Sequence, residues 1–337
     1  MWNKKKGGFE MLVLEDIYKK SLEEGFDNIK AFCKEEAGFI FARDDNGDTL
    51  LHLAVYDGNF EMVKSLMEIG ACPLIYNEKG MDVLANATAL ENVKVLNYLI
   101  QRSLLSLTDF DKSFLLAQAA GNGILENVKC LLEYDFPPSN SYQDRPMLIW
   151  GVQSGNLDVV KLLCKPSFVN DSDEEGMTAL YQAASDGMLD IVTFLLNEGA
   201  IVDQATNNNV TPFMIASCCG HAHVVECLLE HGANIDVIET DEKMTPLLYA
   251  VEYGNIEVVR CLLKHGANVN HKNKKGKTAL LYAIKAGDVE TVTLLLENGA
   301  NPNIVDNKGQ GVDVYLKKIR SKKKQADISK LIEQFRK

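Results

Sequence analysis

No run in this 337-residue chain approaches the roughly 18 apolar residues that a membrane span needs. The opening Met1-Trp2-Asn3-Lys4-Lys5-Lys6 is basic but lacks the apolar core of a secretory leader, so none is expected. Net positive charge is missing too. The formal charge is −12, and nucleic acid with its counterion atmosphere favours cationic partners, so general nucleic-acid binding is not expected. The eight cysteines (33, 72, 130, 164, 218, 219, 227 and 261) form no dense framework and read as reduced, mostly buried thiols of an intracellular protein. The expected location is cytoplasmic, with the nucleus or a host cell as alternatives.

Catalytic signatures are also absent. The chain has no phosphate-cradling GxxxxGK loop, no HExxH zinc pair and no GxSxG elbow. The densest group of metal-type ligands is Cys218-Cys219-Gly220-His221-Ala222-His223 with Cys227, and its spacing fits none of the usual paired-ligand hairpins. No geometry for acid–base work is fixed by the many carboxylates. No catalytic residue, cofactor, metal or small-molecule substrate is therefore expected.

What the chain does have is a period. Five segments align on a threonine: Thr49-Leu50-Leu51-His52, Thr178-Ala179-Leu180-Tyr181, Thr211-Pro212-Phe213-Met214, Thr245-Pro246-Leu247-Leu248 and Thr278-Ala279-Leu280-Leu281. The last four are spaced 33, 34 and 33 residues apart. Nine positions after each threonine stands a glycine (Gly58, Gly187, Gly220, Gly254, Gly287), and a Gly-Ala pair closes each unit, as in Gly199-Ala200 and Gly266-Ala267. Thr is a good N-cap, and Pro at the next position starts a helix without losing a needed donor. The alanine five positions on (Ala54, Ala183, Ala216, Ala250, Ala283) lets helices approach, and a larger residue there costs about 1–3 kcal/mol by overpacking. The glycine at the ninth position suits a left-handed helix end. A second helix follows with an apolar stripe, such as Val224, Val225, Leu228 and Leu229.

This pattern resembles the ankyrin repeat, a β-turn plus two antiparallel helices in about 33 residues. The resemblance covers residues 10–335 and implies an all-α ankyrin-repeat solenoid of helix-turn-helix units with β-turn tips and a concave binding face. The expected organisation is a capping helix pair at 10–43, about eight repeats over 44–305, and a capping unit with a basic helix at 306–337. The repeats over 77–172 are degenerate but keep the frame through Leu96, Leu99, Leu116, Ala119, Gly123, Val128, Leu131, Leu148, Gly151, Gly155, Val160 and Leu163. The N-terminal pair is expected over Leu14 to Glu36, and the last helix carries Ile328, Leu331, Ile332 and Phe335 on one side. By the same resemblance His52 bonds between units, while His221, His231 and His265 are turn residues.

The resemblance also implies binding of a protein partner, as scaffold, adaptor or inhibitor, on the concave face, by a monomer. The positions that build that face are Asp45, Asp48, Tyr56 and Asp57 in the first repeat. Further on they are Glu174, Glu175, Met177 and Asp186, then Asp241, Glu242, Met244, Glu252 and Tyr253, and last Lys274, Lys275 and Lys277, with Lys285. Asn207, Asn208, Val210, Cys218 and Cys219 fall between them, and the middle repeats offer Tyr142, Gln143, Arg145, Gln153 and Ser154, with Trp150 nearby as a core residue. The strip runs acidic and ends basic, which suits a partner segment that is basic over most of its length with an acidic end. The alternative is that these charges only keep the face soluble.

Three other functions stay open. One is a secreted, host-directed effector of an intracellular microbe, suggested by the Lys/Asn/Ile-rich composition. One is an enzyme with a groove-located site. One is nucleic-acid binding through the basic end, where residues 317–337 carry nine Lys/Arg against two acids. That end also reads as a solvated capping helix or a targeting patch.

One irregularity breaks the frame. Phe136-Pro137-Pro138-Ser139-Asn140 and Lys165-Pro166-Ser167-Phe168-Val169-Asn170 replace the Gly-Ala turns, with the prolines expected to end the preceding helices. Either the superhelix is weaker or bent here, or these are ordinary degenerate units with no altered curvature. Amide exchange measured across 109–187 should show lower protection than the flanking repeats, and uniform protection would sink the first reading.

Overall fold

The threonine positions do what their chemistry dictates. The Oγ1 atoms of Thr178, Thr211 and Thr245 accept the N–H of Tyr181, Met214 and Leu248 at 3.1, 3.3 and 3.4 Å, and Pro212 and Pro246 occupy the first turn of their helices. Thr49 uses a variant in which its own N–H donates to Nδ1 of His52 at 3.1 Å. Thr278 departs from the expectation: its helix starts without a side-chain cap.

The computed structural model describes residues 2–5, 8–11, 14–25, 29, 30, 33, 38–138 and 141–336. Ser139, Asn140 and much of the second half of the expected Leu14–Glu36 helix pair lie outside the described residues. The described residues are mostly helical and divide into two compact units, 1–143 and 144–337. The first unit carries a short antiparallel strand pair, Trp2–Lys5 with Gly8–Met11, which the helical periodicity did not foretell. The helix Leu14–Glu24 follows, then the pairs Leu50–Tyr56 with Phe60–Glu68, Val83–Thr88 with Val93–Ser103, and Asp109–Asn122 with Leu125–Glu133. The second unit continues with Met147–Gln153 and Leu157–Leu163, Ala179–Ser185 and Leu189–Asn197, Pro212–Cys219 and Ala222–Glu230. It ends with Pro246–Tyr253 and Ile256–Lys264, Ala279–Ala286 and Val289–Glu297, and Val312–Leu316 with Lys322–Phe335.

Within each unit, first helices pack on first helices of the next repeat and second helices on second helices. Ala54, Ala183, Ala216, Ala250 and Ala283 are buried at those contacts, and Gly151 occupies the same slot in the helix Met147–Gln153. A Cβ at Gly151 would lie 2.9 Å from a methyl of Leu163, so this slot is tighter still. The degenerate repeats bury the residues that held their frame: Leu96, Leu99, Leu116, Ala119, Val128, Leu131, Val160 and Leu163 are fully enclosed. Where 77–108 lacks the usual glycine turn, buried Asn127 of the next repeat donates Nδ2 to the carbonyls of Thr88 and Leu90 at 3.0 and 2.8 Å. Unmet, such buried carbonyls cost about 1–3 kcal/mol each.

One of the two proline readings needs correction. The helix Leu125–Glu133 ends well before Pro137, and two residues past its end Asp135, at φ 57°, fills the left-handed slot that glycine holds in the regular units. Leu157–Leu163 does stop just ahead of Lys165-Pro166, and with 7 residues it is shorter than the 9-residue second helices beyond it. In the last helix Ile328 and Ile332 are buried, Leu331 half-buried and Phe335 exposed, so the apolar stripe is narrower than expected.

The tips between repeats are built by a side chain that the period did not reveal. Five residues before four of the five helix threonines stands Asp44, Asp173, Thr206 or Asn273, and Asn77 and Asp306 hold the same place in their units. Each closes a hairpin by accepting a backbone N–H four residues on, as Asp173 Oδ1 does from Met177 at 2.8 Å and Asn273 Oδ1 does from Lys277 at 3.0 Å. The one 34-residue spacing adds its extra residue here, and the capping residue becomes Glu239. Its longer side chain accepts from Asp241, Glu242 and Met244 at 2.6, 2.7 and 3.0 Å. Successive tips are then joined by backbone hydrogen bonds, Asn207 N–H to Glu175 O, Thr240 to Asn208, Lys274 to Glu242 and Asn307 to Lys275, at 3.0, 3.2, 2.8 and 3.1 Å. Gly276 is required twice over, by its φ of 73° and because a Cβ would stand 2.7 Å from the Asn307 nitrogen. In the lengthened tip Lys243 takes the equivalent left-handed place at φ 55°.

Two tests follow from this packing. Gly276→Ala should lower stability by about 1–2 kcal/mol or more, while Lys243→Gly should leave it unchanged or raise it by up to about 1 kcal/mol, both read by urea unfolding. Burial of His52 holds its imidazole below the ordinary histidine value, with Asp48 and the Met81 carbonyl pulling the other way. The folded state thus disfavours the proton, so the contribution is intact above about pH 6.5 and is lost as pH falls below it. Melting followed from pH 7.5 to 5.0 should show a smaller acid drop for His52→Gln than for the parent.

Candidate functional site

The tips and the exposed ends of the first helices present the positions read as a contact face, and the structure sorts them into free and committed groups. In the first unit Asp45 and Asp57 are exposed. Asp48 is only 6% exposed: its Oδ1 accepts from the Tyr56 hydroxyl at 3.1 Å and from Asn77 Nδ2 at 2.8 Å. That trio ties one repeat to the next, which removes Asp48 from the open face. Burial and then Asp48 push the Tyr56 phenol up to about 12, although the residue as a whole is 42% exposed. Nε2 of His52 lies 3.4 Å from the Met81 carbonyl, the inter-unit contact anticipated for that residue.

In the second unit Glu174 and Glu175 are exposed at their tip, Met177 is half-buried, and Asp186 accepts from Gln182 Nε2 at 2.7 Å. Gln182 in turn accepts from Arg145 Nη2 at 3.1 Å, so Arg145 and Asp186 are bridged rather than free. Met244 was read as an exposed anchor and is not one. It is 4% exposed, drawn in because its N–H caps Glu239 at the lengthened tip. Tyr253 is the open aromatic, at 63% exposure. His221 stays a structural turn residue: its Nε2 lies 2.9 Å from the Ser185 carbonyl of the preceding repeat.

Around the lengthened tip these groups form a cleft of about 340 Å³ lined by Asn208, Val210, Glu239, Asp241, Glu242, Met244, Tyr249, Glu252, Lys275 and Tyr282. Of its four carboxylates, Glu239 is spent on the tip and Glu242 pairs with Lys275 at 2.7 Å. The Lys275 contact holds the Glu242 carboxyl below its ordinary value. Asp241 and Glu252 stay exposed with no ion pair among the described residues. The phenols feel the negative field. Tyr249 is pushed up by burial and then by Glu239, and Tyr282 is pushed up to about 12 by burial and then by Glu252. The cleft therefore offers an aromatic floor under free carboxylates, which is suited to an ammonium or guanidinium group. Beyond it Lys274 is exposed, and Lys277 sits 5.4 Å from the Tyr282 ring centroid. Tyr249, Tyr282 and Glu239 were not among the residues singled out. A glutamate six places before a helix threonine, where the other tips use a shorter side chain five places before, is the signal that marks Glu239.

Among the described residues no three His, Cys, Asp or Glu side chains form a group that could hold a metal, and no helix is long and apolar enough to cross a membrane. A family model described as ankyrin repeats (3 copies) matches residues 20–109, 165–239 and 236–306. Protein glp-1 of Caenorhabditis elegans is 26% identical over 219 residues, 60% of this chain and 17% of that protein. The mouse B-cell lymphoma 3 protein homolog is 32% identical over 176 residues, 50% of this chain and 39% of its own length. The chain thus spans well under half the length of either relative. The crystal structure of the human ASB11 ankyrin repeat domain superposes with a TM-score of 0.57 at 26% identity, covering 64% of this chain and 96% of that one. Ankyrin repeats generally mediate protein–protein interaction and are typically non-enzymatic modules, although some relatives carry them beside other domains. This chain belongs to the ankyrin-repeat family.

Proposed function

We propose that the protein is a binding module, acting as scaffold, adaptor or inhibitor, that captures a basic segment of a protein partner on the tip face of its second unit. The observation that carries this reading is the cleft at the lengthened tip. Asp241 and Glu252 are free there, Tyr249 and Tyr282 form its floor, and Tyr253 stands exposed beside it. A Lys or Arg side chain entering the cleft gains two carboxylates and an aromatic face while the exposed phenol covers its stem. Such desolvated charge-plus-aromatic pockets are where interface energy concentrates. Glu174, Glu175 and Asp186 extend the same sign of charge toward earlier repeats and would steer the segment in. In the same reading the Leu14–Glu24 helix and the pair Val312–Leu316 with Lys322–Phe335 act as end caps, and the array works as a monomer.

Capture from lysate with the parent and with Asp241→Lys/Glu252→Lys, both checked for equal melting temperature, tests the reading. The partner should be retained by the parent and lost by the variant, with affinity down roughly 30-fold or more, in line with loss of a hot spot worth about 2 kcal/mol. Equal retention by the two would remove binding from this cleft.

A further inference from the structure

Next to the acidic cleft, and sharing Lys275 with it, lies a second cleft of about 340 Å³ whose wall carries Lys275, Lys277, Lys285, Lys308, Lys318 and Tyr315. The single carboxylate on that wall, Asp306, is already occupied. Its Oδ1 accepts the N–H groups of Lys308 and Gln310 at 2.9 Å each, and its Oδ2 accepts the Tyr315 hydroxyl at 2.9 Å. Burial works against the Asp306 charge, but these donors outweigh it and hold the carboxyl below its ordinary value. Lys275 is engaged by Glu242 at 2.7 Å, and Lys318 Nζ donates to Gln310 Oε1 at 3.0 Å over the Tyr315 ring. Lys285 and Lys308 are exposed with no ion pair among the described residues.

This is a concentration of one sign of charge in a chain whose net charge is −12. Lys277 registers the crowding: burial first, then Lys285 and Lys275, hold its ammonium below the ordinary lysine value, against the opposing pull of Asp306 and Glu252. Like charges gathered this way repel one another, and an anion placed among them converts that repulsion into several attractions at once. Lysines at the end of a solvated helix would spread outward. These five instead converge from two consecutive units, two of them over tyrosine rings.

We propose that this lysine-lined cleft binds a run of aspartate or glutamate side chains on the protein partner, adjoining the basic stretch that the Asp241/Glu252 cleft takes. The site rests on the protein-binding reading and adds to it a second, oppositely charged subsite. It thereby sets the direction in which the partner segment lies, acidic end toward the C-terminal repeats.

The test uses the full chain and fluorescence anisotropy with a labelled peptide carrying four consecutive Asp/Glu residues, beside its Asn/Gln counterpart, a single-phosphoserine peptide and a thymidine oligonucleotide. The acidic peptide should bind at least about tenfold more tightly than its amide counterpart, and Lys285→Gln/Lys308→Gln should weaken it by about tenfold at unchanged melting temperature. Lys322→Gln/Lys323→Gln, on the terminal helix outside the cleft, should leave it unchanged. Asp241→Lys/Glu252→Lys should still bind the acidic peptide, so loss of the basic subsite and loss of this one are separable. Equal binding of the amide peptide, or equal loss in the Lys322/Lys323 pair, would overturn the site in favour of diffuse charge. Tighter binding of the oligonucleotide, or binding of the phosphoserine peptide alone, would overturn its assignment to carboxylates.

Discussion

The face of this protein depends on how each hairpin tip closes. A tip turns the chain back within five or six residues and leaves backbone N–H groups with no helix or strand to receive them. In seven of the units one side chain receives them: Asp44, Asn77, Asp173, Thr206, Glu239, Asn273 and Asp306. Because these tips are closed from inside, their remaining backbone groups are free to bond a neighbouring tip, as Asn207, Thr240, Lys274 and Asn307 do. The side chains around them then stand at fixed positions along the array. The tip contacts and the buried alanines of the first helices set the spacing together, one at the edge and one in the core. Exposed groups such as Asp241 and Lys274 inherit their places from both.

Electrostatics is laid over that frame in blocks. The lengthened tip spends one carboxylate on its own turn and one on Lys275, which leaves Asp241 and Glu252 facing outward. One repeat later the balance inverts, because Asp306 is consumed by its turn and by Tyr315 while Lys285 and Lys308 are not neutralised. The residues that close tips are thus mostly acids, whose charge is hidden by bonding, or neutral amides. The visible sign of each cleft is set by whatever lies beside them. Counting charges along the sequence mixes the two populations, whereas the hydrogen bonds separate them.

Much of the helical frame was legible from single residues. Thr at the cap, Ala five places on and Gly nine places on each answer to a local rule, and the same rule repeated at a constant interval names the architecture. Less legible were the features that depend on a neighbour in the next repeat. Asp48 looks like an exposed tip acid until Asn77 and Tyr56 are seen to claim it, and Met244 looks like a surface anchor until Glu239 draws its backbone inward. Phe110 to Asn122 kept only part of the frame because the helix begins early, at Asp109, capped by Thr108 with Asp111, where other units place a tip. The two clefts were half visible: acidic and basic positions could be read off, but Tyr282 and the lysines at 308 and 318 reach their clefts from the following unit.

Glu239, standing where the other tips of this chain use a shorter residue, shows how units within one array can differ. One added residue in a tip is matched by one added methylene in the side chain that closes it, and the helices on either side keep their register. Length and cap can change as a pair without reaching the core. Tip shape, and with it the surface the tips present, can therefore differ from unit to unit while the stacked helices stay the same.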